Sequence, residues 1–265
     1  MSFDTKRIVD SWHSRALAYN ELIARWPLFT QMADQLIDVL PDDFSGQLLD
    51  LGGGSGLLSE RLLLRHPKTL VTLIEPSNNM LELAKQRLRN TANFINATAE
   101  QLQDLHLKVD AVLCNAAFHL MDEELVLPAI ARALNSGGLC AFNLWGHSFD
   151  ETANRENIVD WLSFVERATQ EQGETLATHS PGIAPRTRSI QELKHCAIDS
   201  GLELDNYRIS EHRTHARFGI EFAAMSDNFL GQFETQKRSE IIKRAIELSS
   251  GYDLRMSVDF VFRKQ

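Results

Sequence analysis

The chain reads as an α/β protein: a doubly wound, mostly parallel sheet of seven strands with an N-terminal helical cap and lid-like insertions. Three observations predict this. Short apolar runs alternate with helix-patterned stretches, first between residues 48 and 144 and again from 190 to 262. That is the rhythm of strands buried on both faces and joined by crossover helices. The first run passes through Asp50 into four glycines within five positions, LLDLGGGSG, a turn almost bare of side chains. The second ends on a single acidic residue, Glu75.

Each element follows from its own pattern. Ile8, Trp12, Ala16, Tyr19 and Ile23 recur at helical spacing, and a second helix over 28–40 follows Pro27. Residues 1–45 thus form a helical cap. The next part, 46–144, alternates a strand at 48–51, a helix ending at 65, a strand at 70–74, a helix at 78–89, strands at 93–96 and 109–114, a helix at 123–134 and a strand at 139–144. Residues 145–189 break the rhythm with a helix over 154–170 and a Gly-, Pro-, Ser- and Thr-rich loop over 173–187, too long for a plain connection. Such an insertion above a sheet usually covers a site. The remainder, 190–265, holds a helix at 190–200, a strand at 202–209, a second helical insertion over 218–248 and a closing strand at 255–262. We read all of it as one domain.

Composition excludes several classes. With 265 residues, 43% hydrophobic and 24% charged, the chain can bury one large core. A net charge of −9 opposes a protein that grips a phosphate backbone. No apolar run approaches the roughly 18 residues of a membrane helix, and the polar start MSFDTKRIVDSWHSR resembles neither a signal nor a transit peptide. The three cysteines, Cys114, Cys140 and Cys196, are odd in number and widely spaced, which suits a reducing compartment. We therefore expect a cytoplasmic protein with a small-molecule partner and neither nucleic acid nor membrane. Its oligomeric state is not written in the sequence. His212 and His215 lack a matching Cys or carboxylate cluster, so no metal site is expected.

A glycine turn after the first strand lies where parallel sheets bind ligands. A dinucleotide fingerprint needs G-x-G-x-x-G, but Leu57 stands at the third glycine and the spacing present is G-x-G-x-G, closed by Gly56. This argues against an NAD oxidoreductase. LLDLGGGSG instead resembles the first motif of the class I S-adenosylmethionine-dependent methyltransferases, and the resemblance runs over about a third of the chain, 48–144.

The resemblance implies the Rossmann-like methyltransferase fold and S-adenosyl-L-methionine as cofactor. Gly52, Gly53, Gly54 and Gly56 would pass against its methionine and ribose parts, with Asp50 holding the loop and the ammonium end. Glu75, in LVTLIEPS, would accept hydrogen bonds from the vicinal ribose hydroxyls. Pro76 and Met80 correspond to apolar contacts beside the adenine, with helix entry and packing as the alternative. ATAEQL resembles the adenine-binding stretch, which brings in Thr98, Ala99 and Glu100; Thr98 replaces the usual acidic residue, and Glu100 equally suits the first turn of a helix. Tyr19, in RALAYNE, resembles the cap residue that closes over the cofactor.

The loop Asn115–His119, after the fourth strand, points toward the transferred methyl in this family. Asn115 is placed near the methionine part. His119, and His147 after the fifth strand, are the candidate general bases, since neutral imidazole takes a proton near pH 7; packing is the alternative for both. Trp12, Phe118, Trp145, Phe149 and Phe222 are candidate linings of an apolar substrate chamber, although helical spacing equally fits core. Arg186 and Arg188 read as a solvated loop, or as partners for a substrate anion.

The expected activity is methyl transfer to an O or N atom of a small, partly apolar metabolite. Two alternatives keep the fold: a methyltransferase-like enzyme of other chemistry, a cyclase or an acyl-carrier ester methylase, or a non-catalytic cofactor-binding subunit. The N-terminal FDTKRIVDSWHSRALAYNE resembles the malonyl carrier-protein methylases of biotin synthesis, but the acidic balance opposes a carrier-protein partner. Asp50, Glu75 and all four glycines oppose a degenerate site.

Overall fold

The computed structural model describes residues 4–146, 148–149, 160–176, 187–226 and 229–265. Among these, seven strands form one sheet in the order β3-β2-β1-β4-β5-β7-β6. They are β1 (Gln47–Leu51), β2 (Leu70–Ile74), β3 (Ala92–Ile95), β4 (Val109–Cys114), β5 (Leu134–Trp145), β6 (Leu202–His215) and β7 (Tyr252–Lys264). β7 runs antiparallel to both β5 and β6, and the first five strands are parallel.

The strand order reverses between β1 and β4. The loops that follow these two strands therefore border one crevice at the carboxyl edge of the sheet, the usual ligand position in such folds. The central strands are apolar on both faces because both are covered. Leu48, Ala111 and Leu113 pack in one cluster with Leu36 and Ile37, whereas Leu49, Leu51, Val112 and Cys114 pack in the opposite one with Phe142, Phe260 and Phe262. Alternate side chains of each strand thus feed the two layers.

The helical cap is α1 (Thr5–Arg25) and α2 (Leu28–Ile37). Then come α3 (Leu57–Arg65), α4 (Asn78–Leu88), α5 (Glu123–Ala133), α6 (Trp161–Glu171), α7 (Ile190–Asp199), α8 (Ala216–Ala224) and α9 (Thr235–Leu248). The cap is fastened at two ends. On α4, Asn79 Nδ2 donates to His13 O and Arg87 bridges Asn20 Oδ1 and Glu60 Oε2. On α8, Glu221 accepts from Arg25, from Trp26 Nε1 and from Arg217.

Four elements differ from the sequence reading. β6 and β7 extend well beyond 202–209 and 255–262, pairing out to His215↔Tyr252. β6 is an edge strand with mostly exposed or half-buried side chains, so its last turns carry EHRTH rather than an apolar run. The second insertion is two helices, α8 and α9. Of the helix expected over 154–170, residues 154–159 lie outside the described residues, and α6 starts at Trp161, where Asp160 accepts from Leu162 N. α6, α8 and α9 share one small core of Val165, Ala168, Ile220, Ile241 and Ala245. The two insertions are therefore one layer.

No helix among the described residues is long and apolar enough to cross a membrane. Helix α5 starts from the β4 loop with Asp122 as its cap, its Oδ1 accepting from Glu124 N at 3.2 Å. Asp122→Ala is expected to cost about 1 kcal/mol of stability in thermal denaturation.

Candidate functional site

A cavity of about 910 Å³ opens between the glycine turn, the ends of β2 and β4, and α1. Its shape starts in the turn. Gly52 N and Gly53 N both donate to Ile74 O, at 2.9 and 3.0 Å, which straps the turn across the end of β2. Gly53 has to be glycine because a Cβ there would lie 2.4 Å from Leu73 Cγ. Gly54 adopts φ +54°, and a side chain on it would meet nothing within 4 Å. The turn thereby offers bare backbone to the cavity.

Glu75 locks this arrangement. Its Oε2 accepts from Gly54 N at 3.0 Å and its Oε1 from Ser77 N at 2.8 Å. The carboxyl is buried, and burial pushes it up to about 7 despite the two amides. Asp50, one strand away, is buried as well: Oδ2 accepts from Ser59 Oγ at 2.6 Å, whereas Oδ1 has no hydrogen-bond partner. Burial pushes Asp50 up to about 6. A carboxylate oxygen left unpaired at a cavity wall awaits a donor.

The other walls come from the cap and from the loops after β3 and β4. Tyr19 is packed edge-on against Trp12 at 5.4 Å, and burial raises its phenol well above the ordinary range. Pro76, Met80, Thr98, Ala99, Glu100 and Asn115 line the same cavity together with Tyr19, Asp50, Gly52, Gly53, Gly54 and Glu75. Glu100 and Asn115 have structural partners as well: Glu100 Oε1 accepts from Asp122 N, and Asn115 Nδ2 donates to Phe29 O. Gly56 is not in the wall. It caps α3, where a Cβ would press on Leu88 and Ala84.

Sequence reasoning missed what holds the β4 loop. Ala116 sits at φ +54°, uncommon for a residue with a Cβ, and its N–H donates to Asn143 Oδ1 at 2.6 Å. Asn143 Nδ2 in turn donates to Asn115 Oδ1. The only sequence signal was an asparagine inside the apolar run AFNLW. The second clamp is Arg188, which is buried rather than solvated. Nε and Nη2 donate to Glu123 Oε2, Nη1 to His119 O and Nη2 to Met121 O. Arg186 lies outside the described residues.

A second cavity, about 900 Å³, adjoins the first and shares Ile8, Trp12 and Leu120 with it. Trp145, Phe222 and His119 line it. His119 is buried with Nδ1 unpaired, and burial together with the Arg188 guanidinium lowers it to about 3. So low a value makes it a weak proton acceptor near pH 7, contrary to the expected general base. His147 lies outside the described residues. Two expected chamber residues belong to the core instead. Phe118 stacks on Phe142 at 3.8 Å and is fully buried; the short turn Phe118–Leu120 sends its ring inward and leaves Leu120 facing the cavities. Phe149 is 3% exposed, packed in the same core and bridged to Arg188.

Residues 48–138 match the family model of a methyltransferase domain. The malonyl-[acyl-carrier protein] O-methyltransferase of Acetivibrio thermocellus is 33% identical over 141 residues, which is 49% of this chain and 50% of that protein. The demethylmenaquinone methyltransferase of Chlamydia pneumoniae is 31% identical over 137 residues, 51% of this chain and 58% of that protein. The chain thus spans about half the length of these curated relatives. Among solved structures, the geranyl diphosphate C-methyltransferase of Streptomyces coelicolor has the same fold, with a TM-score of 0.54 at 15% identity over 89% of this chain and 76% of that one. The matched segment, with the strand order that it builds, indicates a class I S-adenosylmethionine-dependent methyltransferase domain over residues 48–138.

Proposed function

We propose that the first cavity holds S-adenosyl-L-methionine and that the protein transfers its methyl group to an O or N atom of a small, partly apolar metabolite. The observation that carries this reading is the pair of buried carboxylates on the glycine turn. Asp50 Oδ1, unpaired at the wall, suits an ammonium group, and Glu75 suits a pair of vicinal hydroxyls. Bound S-adenosylmethionine supplies a methyl group already activated on a sulfonium. The protein's own work is then to bind, align and exclude water.

Its residues divide that work. Glu75 and the turn fix the sugar end, and Asp50 the amino-acid end. Tyr19 and Trp12 on α1 cover the cavity from the cap side. The β4 loop, set by Asn143 and Arg188, forms the wall between the two cavities. No strong base is needed when the acceptor atom is already ionised or gives its proton to solvent, which agrees with a His119 held neutral.

A second reading is esterification of a carboxylate carried on an acyl-carrier thioester. Similarity to malonyl-[acyl-carrier protein] O-methyltransferases and the N-terminal pattern favour it.

Calorimetric titration with S-adenosylhomocysteine is expected to give one site per chain, and a flat titration overturns the proposal. Affinity should also depend on pH. Hydroxyl donors favour the ionised form of Glu75, whose carboxyl stands near 7 without them, so binding releases a proton and strengthens as pH rises toward 7. Adenosine, which lacks the amino-acid part, isolates Glu75. Its affinity should fall about tenfold from roughly pH 8 to roughly pH 6.

A further inference from the structure

We propose that Asn143 is a positioning residue of the first cavity: its amide, acting through Asn115 and Ala116, fixes the β4 loop on the side of the cavity that takes the ligand's amino-acid part. This rests on the reading of that cavity as the cofactor site. Asn143 itself is fully buried in β5 and is not in the cavity wall.

The relay has one possible polarity. At one end stands the N–H of Ala116, which can only donate, and at the other the carbonyl of Phe29 in the first turn of α2, which can only accept. Asn143 Oδ1 therefore faces Ala116 N at 2.6 Å, and its Nδ2 faces Asn115 Oδ1 at 3.0 Å. Asn115 Nδ2 then faces Phe29 O at 3.1 Å. Turning either amide over would set like against like. The side chain at 143 thus has to accept at one atom and donate at the other. Through Phe29, whose ring lies 5.7 Å from that of Tyr19, the relay also ties the loop to the cap.

The consequence falls on one side of the cavity. In the strand order β2-β1-β4, Glu75 follows β2, whereas Asp50 stands beside β4, paired with Leu113. The loop after β4 therefore borders the Asp50 side, away from Glu75, and its residues Asn115, Ala116 and Ala117 line the wall. Ala116 holds φ +54°, which a residue with a Cβ keeps only where its surroundings impose it. The loop also presses on the glycine turn: a Cβ on Gly52 would stand 3.0 Å from Ala117 Cβ and 2.8 Å from Met121 Cε. Without the relay, Ala116 is free to relax, and the wall moves with it.

The full chain is titrated calorimetrically with S-adenosylhomocysteine and with adenosine, as wild type, Asn143→Leu and Asn143→Asp. Asn143→Leu fills the space without hydrogen bonds; it is expected to weaken S-adenosylhomocysteine about tenfold and adenosine, which lacks the amino-acid part, less than about twofold. Asn143→Asp separates the relay from packing. A protonated carboxyl accepts at one oxygen and donates at the other, as the amide does, whereas an ionised one cannot donate. The new carboxyl would face Asp259, the cross-strand partner on β7, which burial raises against the pull of Arg208 and of the Asn143 amide. Asp50 on β1 shares this face of the sheet, and Asp34 of α2 is paired with Arg61. Burial and a neighbouring carboxyl both favour the protonated form. Relative to wild type at each pH, which removes the Glu75 effect, Asn143→Asp should bind S-adenosylhomocysteine poorly near about pH 8 and recover toward about pH 5.5.

Wild-type affinity in Asn143→Leu, equal losses for the two ligands, or an aspartate no better than leucine at any pH overturns the proposal. If Asn143→Leu does not fold, Asn143→Asp decides alone, and a ratio to wild type that does not change with pH overturns it. Failure of the wild type to bind S-adenosylhomocysteine sinks the cofactor reading; binding without these differences sinks the relay alone.

Discussion

Glu75→Ala is expected to weaken S-adenosylhomocysteine binding about 100-fold or more at neutral pH. The carboxylate would accept hydrogen bonds from the ligand's ribose, and bonds to a charged group contribute roughly 1.5–3 kcal/mol each. The same substitution should alter the ligand-free protein in the opposite sense. The Glu75 carboxyl stands at about 7 when folded against an ordinary 4.5. Because the folded value is raised, the folded form holds its proton where the unfolded form has lost it, and stability falls as pH climbs from about 4.5 through about 7. The full loss is about 3 kcal/mol. Asp50, pushed up to about 6, adds a loss of the same sign over a lower range. Urea denaturation across this window should show the decline in the wild type and a smaller one in Glu75→Ala. A wild-type stability that is flat with pH would mean that Glu75 is not buried as described.

Phe142→Ala is expected to cost about 4 kcal/mol, among the larger penalties a core truncation brings. The ring is fully buried, stacks on Phe118 at 3.8 Å and lies 5.3 and 5.8 Å from Phe260 and Phe262. In a chain of this length the melting temperature should drop by about 10 °C. Phe118→Ala should behave alike, because Phe118 anchors the β4 loop from below. If Phe118→Ala changed acceptor affinity while stability held, its assignment to the core would fail.

The sequence carried the fold where burial is two-sided. Apolar runs such as LVTLI and VDAVLC have no polar phase to misread, and the glycine turn with Glu75 marked the crevice between β1 and β4. The end of β6 was illegible because an edge strand alternates with solvent and reads as loop, and the start of β7, residues 252–256, pairs with that strand alone. In the candidate site, twelve of the expected cofactor residues, Glu75 among them, share one cavity, since strand ends and the turns after them occupy fixed places in a doubly wound sheet. Side-chain direction inside loops has no such rule. Phe118 and Phe149 turned into the core, Gly56 served the helix rather than the cavity, and Arg188 found a buried carboxylate 65 positions away in Glu123. Asn143 was hidden for the opposite reason: one polar residue in an apolar strand gives no sign that its amide fixes a loop on the neighbouring strand.

The common core of α6, α8 and α9 has a consequence for how such a fold can diversify. Two pieces separated in sequence by α7 and β6 bury their apolar sides against each other, so neither is a self-sufficient module. A chimera that exchanged only one of them with a relative would leave Val165 and Ala168, or Ile220 and Ile241, facing a mismatched partner. Exchanging both together, along with α1 to which α8 is bonded through Glu221, would transplant a complete roof onto an unchanged nucleotide floor.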